Sequence, residues 1–123
     1  MSKKSVYRSG FEDGVASQLE ANGIKYEYEK HKIAWVNPAT NCIYTPDFYC
    51  KGVFYETKGI WELPDRKKMM HVIKQHPDKK FCMVFQQPNK PIRKGSKTTY
   101  AMWCDKNKID HCTVDEMIER LTK

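Results

Sequence analysis

Two strand-like segments, Ile43 to Cys50 and Val53 to Lys58, are separated only by Lys51-Gly52. A two-residue connection makes a tight antiparallel hairpin and fixes its register. Cys50 then pairs with Val53, and counting back sets Asp47 opposite Glu56. Side chains alternate along a strand, so Lys58 shares a face with Glu56. Two carboxylates and an amine are thereby expected on one patch. Like charges directly opposite one another destabilise a hairpin. A bound divalent cation removes that repulsion, and Mg²⁺ prefers a few carboxylate oxygens plus water. A lysine beside it can orient or deprotonate water, or offset charge building on a phosphate. The competing reading is a solvated polar face with Asp47 in a turn. The hairpin register favours the metal site.

The rest of the chain supplies helices and strands around this hairpin. Ser9-Gly10-Phe11-Glu12 fits a capping box, and Phe11, Val15 and Leu19 give the following helix an apolar face. Asn22-Gly23 ends it. Ile24, Tyr26 and Tyr28 alternate with Lys25, Glu27 and Glu29, which predicts a half-buried strand, continued or followed by Ile33 to Val36. Pro64-Asp65 opens a helix that runs to about Gln75, before Pro77. Phe81 to Phe85 reads as a short buried strand. A basic loop from Gln86 to Thr98 precedes a helix near Thr99 to Lys106. Thr113-x-x-Glu116 caps a last helix that buries Met117, Ile118 and Leu121. The fold class is mixed α/β or α+β, in one domain spanning 1–123. Residues 1–6 read as a flexible basic arm.

The 123 residues carry a formal net charge of +7. Solubility alone can account for a basic chain, but the charges are clustered. Between Asp65 and Lys80 six Lys or Arg residues face two acids, and Gln86 to Lys97 holds four cations and no acid. Such clusters suit a polyanion, because they displace counterions from phosphates. The five cysteines are odd in number and form no CxxC pair. They read as reduced thiols in or near the core rather than as a disulfide framework or zinc ribbon. No signal-peptide core or membrane-spanning run is apparent, so a cytoplasmic location is expected, with no membrane partner and no small-molecule cofactor. The aromatics Trp35, Trp61, Tyr100 and Trp103 read as core or interface before base-stacking platforms.

Pro46-Asp47 followed by Glu56-Thr57-Lys58 resembles the PD-(D/E)xK signature of restriction-endonuclease-like nucleases. The likeness extends to Tyr7-Arg8-Ser9-Gly10-Phe11-Glu12-Asp13, Gly23 to Glu29, Tyr44-Thr45-Pro46-Asp47-Phe48, Glu56-Thr57-Lys58-Gly59 and Asp65-Arg66-Lys67-Lys68. In order and approximate spacing these segments resemble the phage endonuclease I family, the Holliday-junction resolvases of T-seven-like phages. The match runs from about Tyr7 to Trp103. The Lys51-Gly52 loop is about a residue shorter than the family's, and the tail after Trp103 matches weakly.

The resemblance implies a central mixed sheet flanked by helices, in an intertwined, domain-swapped homodimer with residues 37–41 as the crossover hinge. It implies cutting of branched DNA with two Mg²⁺ per active site, Mn²⁺ substituting, and a 5′-phosphate product in the host cytoplasm. Asp47 and Glu56 match the metal-binding carboxylates, Thr57 contributes its main-chain carbonyl, and Lys58 matches the catalytic lysine. Glu12 matches a further acid serving the second metal, working in trans, although its residue pattern alone makes it a capping residue. Arg66, Lys67, Lys68, Lys90, Arg93 and Lys94 are candidates for DNA backbone contacts, which position DNA without reading its sequence. Two alternatives stand beside this reading: a nuclease of the same superfamily acting on other DNA, and a module that grips branched DNA without cutting.

Overall fold

A computed structural model describes residues 9–37 and 40–123. The arm at 1–6 and the centre of the 37–41 hinge lie outside the described residues.

The first helix, α1 (Gly10–Ala21), starts where expected. Ser9 accepts a hydrogen bond from the Glu12 N–H, and Val15, Ala16 and Leu19 are buried along one face. The segment after it is strand over only two residues, β1 (Glu27–Tyr28), because Ile24 N–H bonds back to Leu19 O and closes the helix end. Strands β2 (Ile33–Asn37) and β3 (Thr40–Tyr44) pair antiparallel as a two-stranded ribbon.

The expected single strand from Ile43 to Cys50 is in fact two. It breaks at Thr45-Pro46-Asp47, between β3 and β4 (Phe48–Cys50). Pro46 has no N–H to give a ladder, and the chain bends there so that β3 leaves for β2. β4 pairs with β5 (Val53–Lys58) in the predicted register, Cys50 with Val53 and Phe48 with Tyr55. Lys51 (φ 48°) and Gly52 (φ 83°) both lie in left-handed space, as a type I′ turn requires.

Helix α2 (Leu63–Gln75) carries Pro64 in its first turn and leads to β6 (Lys80–Phe85), which pairs parallel with β5. Thr99 caps α3 (Tyr100–Lys106). A two-residue strand, β7 (His111–Cys112), was not anticipated; it is too short to show a period, and its parallel pairing with β6 defines it. The predicted Thr113–Glu116 capping box opens α4 (Val114–Leu121), with Met117 and Leu121 buried.

The main sheet runs β1-β4-β5-β6-β7, antiparallel on one side of β5 and parallel on the other. Alternation along β6 divides the core. Phe81, Met83 and Phe85 face α2, α3 and the ribbon, packing with Trp61, Met69, Val72, Tyr100 and Cys104. Cys82 and Val84 face α1 and α4, packing with Val15, Leu19, Phe48, Tyr55 and Met117. The fold is thus helices on both faces of a mixed sheet, as expected. The cysteines are free thiols, four of them buried. Among the described residues no helix is long and apolar enough to cross a membrane.

A candidate active-site cleft

The hairpin register brings the signature residues together. Asp47, Glu56 and Lys58 line one open cleft of about 510 Å³ with Glu12, Tyr44, Thr45, Asp65 and Lys68. β5 contributes Glu56 and Lys58, two residues apart on one face. The bend before β4 contributes Asp47, and α1 contributes Glu12 from across the cleft.

Each acid is fixed by specific donors. Asp47 Oδ2 accepts from the Thr57 N–H at 2.9 Å and from its hydroxyl at 2.8 Å. The Thr57 side chain therefore has a definite task, which the sequence reading had left to the main chain. Glu56 Oε1 accepts from the Tyr44 hydroxyl at 2.7 Å. Its other oxygen lies 3.7 Å from Lys58 Nζ, which is 3.9 Å from Asp65. Glu12 accepts from the Tyr28 hydroxyl. The cap bond is the one from the Glu12 N–H to Ser9, and the Glu12 carboxylate lines the cleft.

A further acid, Glu29, escaped the sequence reading. It sits at φ 48°, its N–H bonded to Asp47 O at 2.9 Å. That conformation is uncommon for a residue with a side chain. Carboxylate oxygens of Glu12, Glu29 and Asp47 come within 4.8 Å of one another. In the sequence Glu29 was one polar member of an alternating segment, and only the fold shows its proximity. Asp65, beside Lys58, and Tyr44, beside Glu56, were likewise visible as residues but not as neighbours of the site.

The electrostatics follow from burial. Asp47 is pushed up to about 6, first by loss of water and then by the nearby Glu12 charge, against the opposing Thr57 hydrogen bonds. Glu56 is pushed up to about 7, first by burial and then by Asp47, against Tyr44 and Lys58. Two carboxyls this close to neutrality mark a site short of positive charge. The donors are all hard oxygens in a cleft open to solvent. A divalent cation of the Mg²⁺ or Mn²⁺ type fits this donor chemistry.

Comparison with known proteins places the chain in a family. A family model described as phage endonuclease I matches residues 1–120. The chain belongs to the phage endonuclease I family. The match runs beyond Trp103, where the resemblance in sequence had been expected to weaken. Endonuclease I of Escherichia phage T7 is 47% identical over 108 residues, covering 87% of this chain and 72% of that protein. Endodeoxyribonuclease 1 of Enterobacteria phage T3 is 45% identical over 105 residues, covering 85% and 69%.

In this member of the phage endonuclease I family the cations expected at DNA divide into two groups. Lys67, Arg93 and Lys94 are exposed and Lys68 and Lys90 are half-buried. Arg66 departs from the expectation, being buried at 5% exposure. Its guanidinium donates to Trp61 O at 3.0 Å and Ile92 O at 3.1 Å, and lies 5.7 Å from the Trp103 ring. Its part is to tie the basic loop to α2, not to face solvent. Trp61 and Tyr100 are core residues, as the reading of the aromatics favoured.

Proposed function

We propose that this chain is an endodeoxyribonuclease that cuts four-way and other branched DNA by metal-dependent phosphodiester hydrolysis, acting as a homodimer. The observation that carries the reading is the meeting of Asp47, Glu56 and Lys58 in one cleft, within a chain of the phage endonuclease I family. Both relatives bear endonuclease names, and one is named an endodeoxyribonuclease.

Asp47 and Glu56 are assigned to hold divalent cations, two per site, with the Thr57 carbonyl and Glu12 assisting. Bound there, Mg²⁺ supplies Lewis-acid charge at the scissile phosphate. Lys58 positions the attacking water and offsets negative charge on the phosphate oxygens. Thr57 keeps the Asp47 carboxylate aimed into the cleft. Lys67, Lys68, Lys90, Arg93 and Lys94 grip the DNA backbone. Glu12 lines its own chain's cleft. Exchange of identical elements between two copies reproduces the same contacts, so this seating accords with Glu12 acting in trans in a swapped dimer.

Cleavage of a labelled immobile four-way junction in Mg²⁺, beside a linear duplex of the same sequence, tests the proposal. Paired cuts near the branch point, little duplex cleavage and an inactive Glu56→Ala are expected. Equal cutting of both substrates would remove the junction selectivity, and tight binding without cutting in any divalent metal would leave a binding module. Light scattering should give twice the 14.5 kDa chain mass.

A further inference from the structure

Tyr44 ends β3, three residues before Asp47, and is buried at 3% exposure. Its hydroxyl donates to Glu56 Oε1 at 2.7 Å, and Glu56 is itself buried at 6% exposure. A hydroxyl has one proton to give. The ring has two neighbours. Lys68 Nζ lies 5.3 Å from its centroid, and the Phe81 ring lies 6.5 Å away. A glutamate side chain has three torsions to order, whereas this tyrosine is fixed by its surroundings.

From this geometry we propose that Tyr44 is a positioning residue for Glu56, engaging Oε1 so that Oε2 is presented to Lys58 and the open cleft. The inference rests on the reading above, in which Glu56 holds a divalent cation. Tyr44 then acts through the carboxylate and touches neither cation nor DNA. It also makes the ribbon part of the site. β3 lies outside the main sheet, yet its last residue governs a ligand on the central strand.

The test uses this chain with Tyr44→Phe, which removes only the hydroxyl and keeps the ring beside Lys68 and Phe81. Mn²⁺ binding is measured by calorimetry without DNA, four-way-junction affinity in EDTA, and thermal unfolding in EDTA. Partners of metal ligands typically change metal affinity about 10–100-fold, so Mn²⁺ affinity should fall about tenfold or more. Cleavage should weaken at limiting Mn²⁺ and recover as Mn²⁺ is raised. Junction affinity and unfolding temperature should stay close to wild type. Unchanged Mn²⁺ affinity overturns the proposal. So does a loss of Mn²⁺ affinity accompanied by equal loss of junction binding and of stability, which would make Tyr44 a packing residue. Glu56→Ala separates the two readings. If it binds Mn²⁺ normally, the metal-site reading falls and this inference with it; if only Tyr44→Phe is normal, this inference alone falls.

Discussion

Asp47 and Glu56 are placed where neither is comfortable as an anion, and the discomfort is measurable. In the metal-free protein both titrate higher when folded than when unfolded. Between about pH 4 and 7 the folded state therefore binds more protons. Their contribution to stability is fully present at acid pH and is lost as pH rises through about 6 for Asp47 and about 7 for Glu56. A shift of one pKa unit corresponds to about 1.4 kcal/mol, so each group withdraws at most a few kcal/mol. Glu56→Gln keeps the shape and removes the charge. In EDTA at pH 8 it should unfold about 1–3 kcal/mol later than wild type, and the gain should shrink at pH 5, as followed by thermal melts. The same variant should lose cleavage. Gained stability with lost activity is what separates a ligand from a structural acid. At this scale much was legible: Asp47, Glu56 and Lys58 came from counting across one turn. Glu29 and Tyr44 did not, because their roles depend on chain segments that approach only after folding.

The elements were legible in proportion to the strength of their local signals. Helix α1 is announced by Ser9 and Asn22-Gly23, α2 by Pro64 and α4 by its capping box, and all three form there. β4 and β5 are joined by Lys51-Gly52, and the turn works because both residues adopt positive φ. Gly52→Ala should cost about 1–2 kcal/mol in urea unfolding, since a Cβ is strained in left-handed space. The break at Pro46 was hidden because β3 and β4 are both strand-like in composition and only their partners differ. β3 belongs to the ribbon. Gln75, at the end of α2, exchanges two hydrogen bonds of 2.7 Å with the Val36 backbone. His76 bonds Ala34 O at 2.6 Å. The ribbon edge is therefore covered by side chains at a helix terminus, one way of shielding an open strand. Arg66 shows why a charge run is a poor guide to single residues. Its sequence neighbours Lys67 and Lys68 look equivalent, but helix periodicity turns Arg66 inward beside Met69. Arg66→Met should destabilise by about 2–4 kcal/mol by thermal or urea unfolding, since two backbone carbonyls lose a charged donor. Lys94→Ala, on the exposed loop, should stay within about 0.5 kcal/mol of wild type.

At the scale of the whole molecule, the cleft and the basic loop are separate parts with separate tests. Lys90, Arg93 and Lys94 sit on the segment between β6 and α3, and the carboxylates sit at the bend before β4 and on β5. Neutralising the three loop cations together should weaken junction binding and lower the slope of log affinity against log salt by about 2–3, at 0.9 per lost phosphate contact. Cleavage of bound junction at saturating protein should change far less. The mixed α/β or α+β class was accessible from the order of elements and the helices flanking a mixed sheet from the family resemblance, whereas the sheet's strand order was not. Nothing local tells a strand which neighbour it will meet. Arg66 carries one more consequence. It holds the carbonyl of Trp61, three residues beyond the lysine end of β5, and the carbonyl of Ile92 within the basic loop. On the proposed reading, Arg66 is thus one strut between grip and blade, beside the Gln86 N–H bond to Lys58 O. If the basic loop holds a strand as proposed, that brace helps to set the span from hold to cut, and a slackened Arg66 should blur the position of the nick before it slows it.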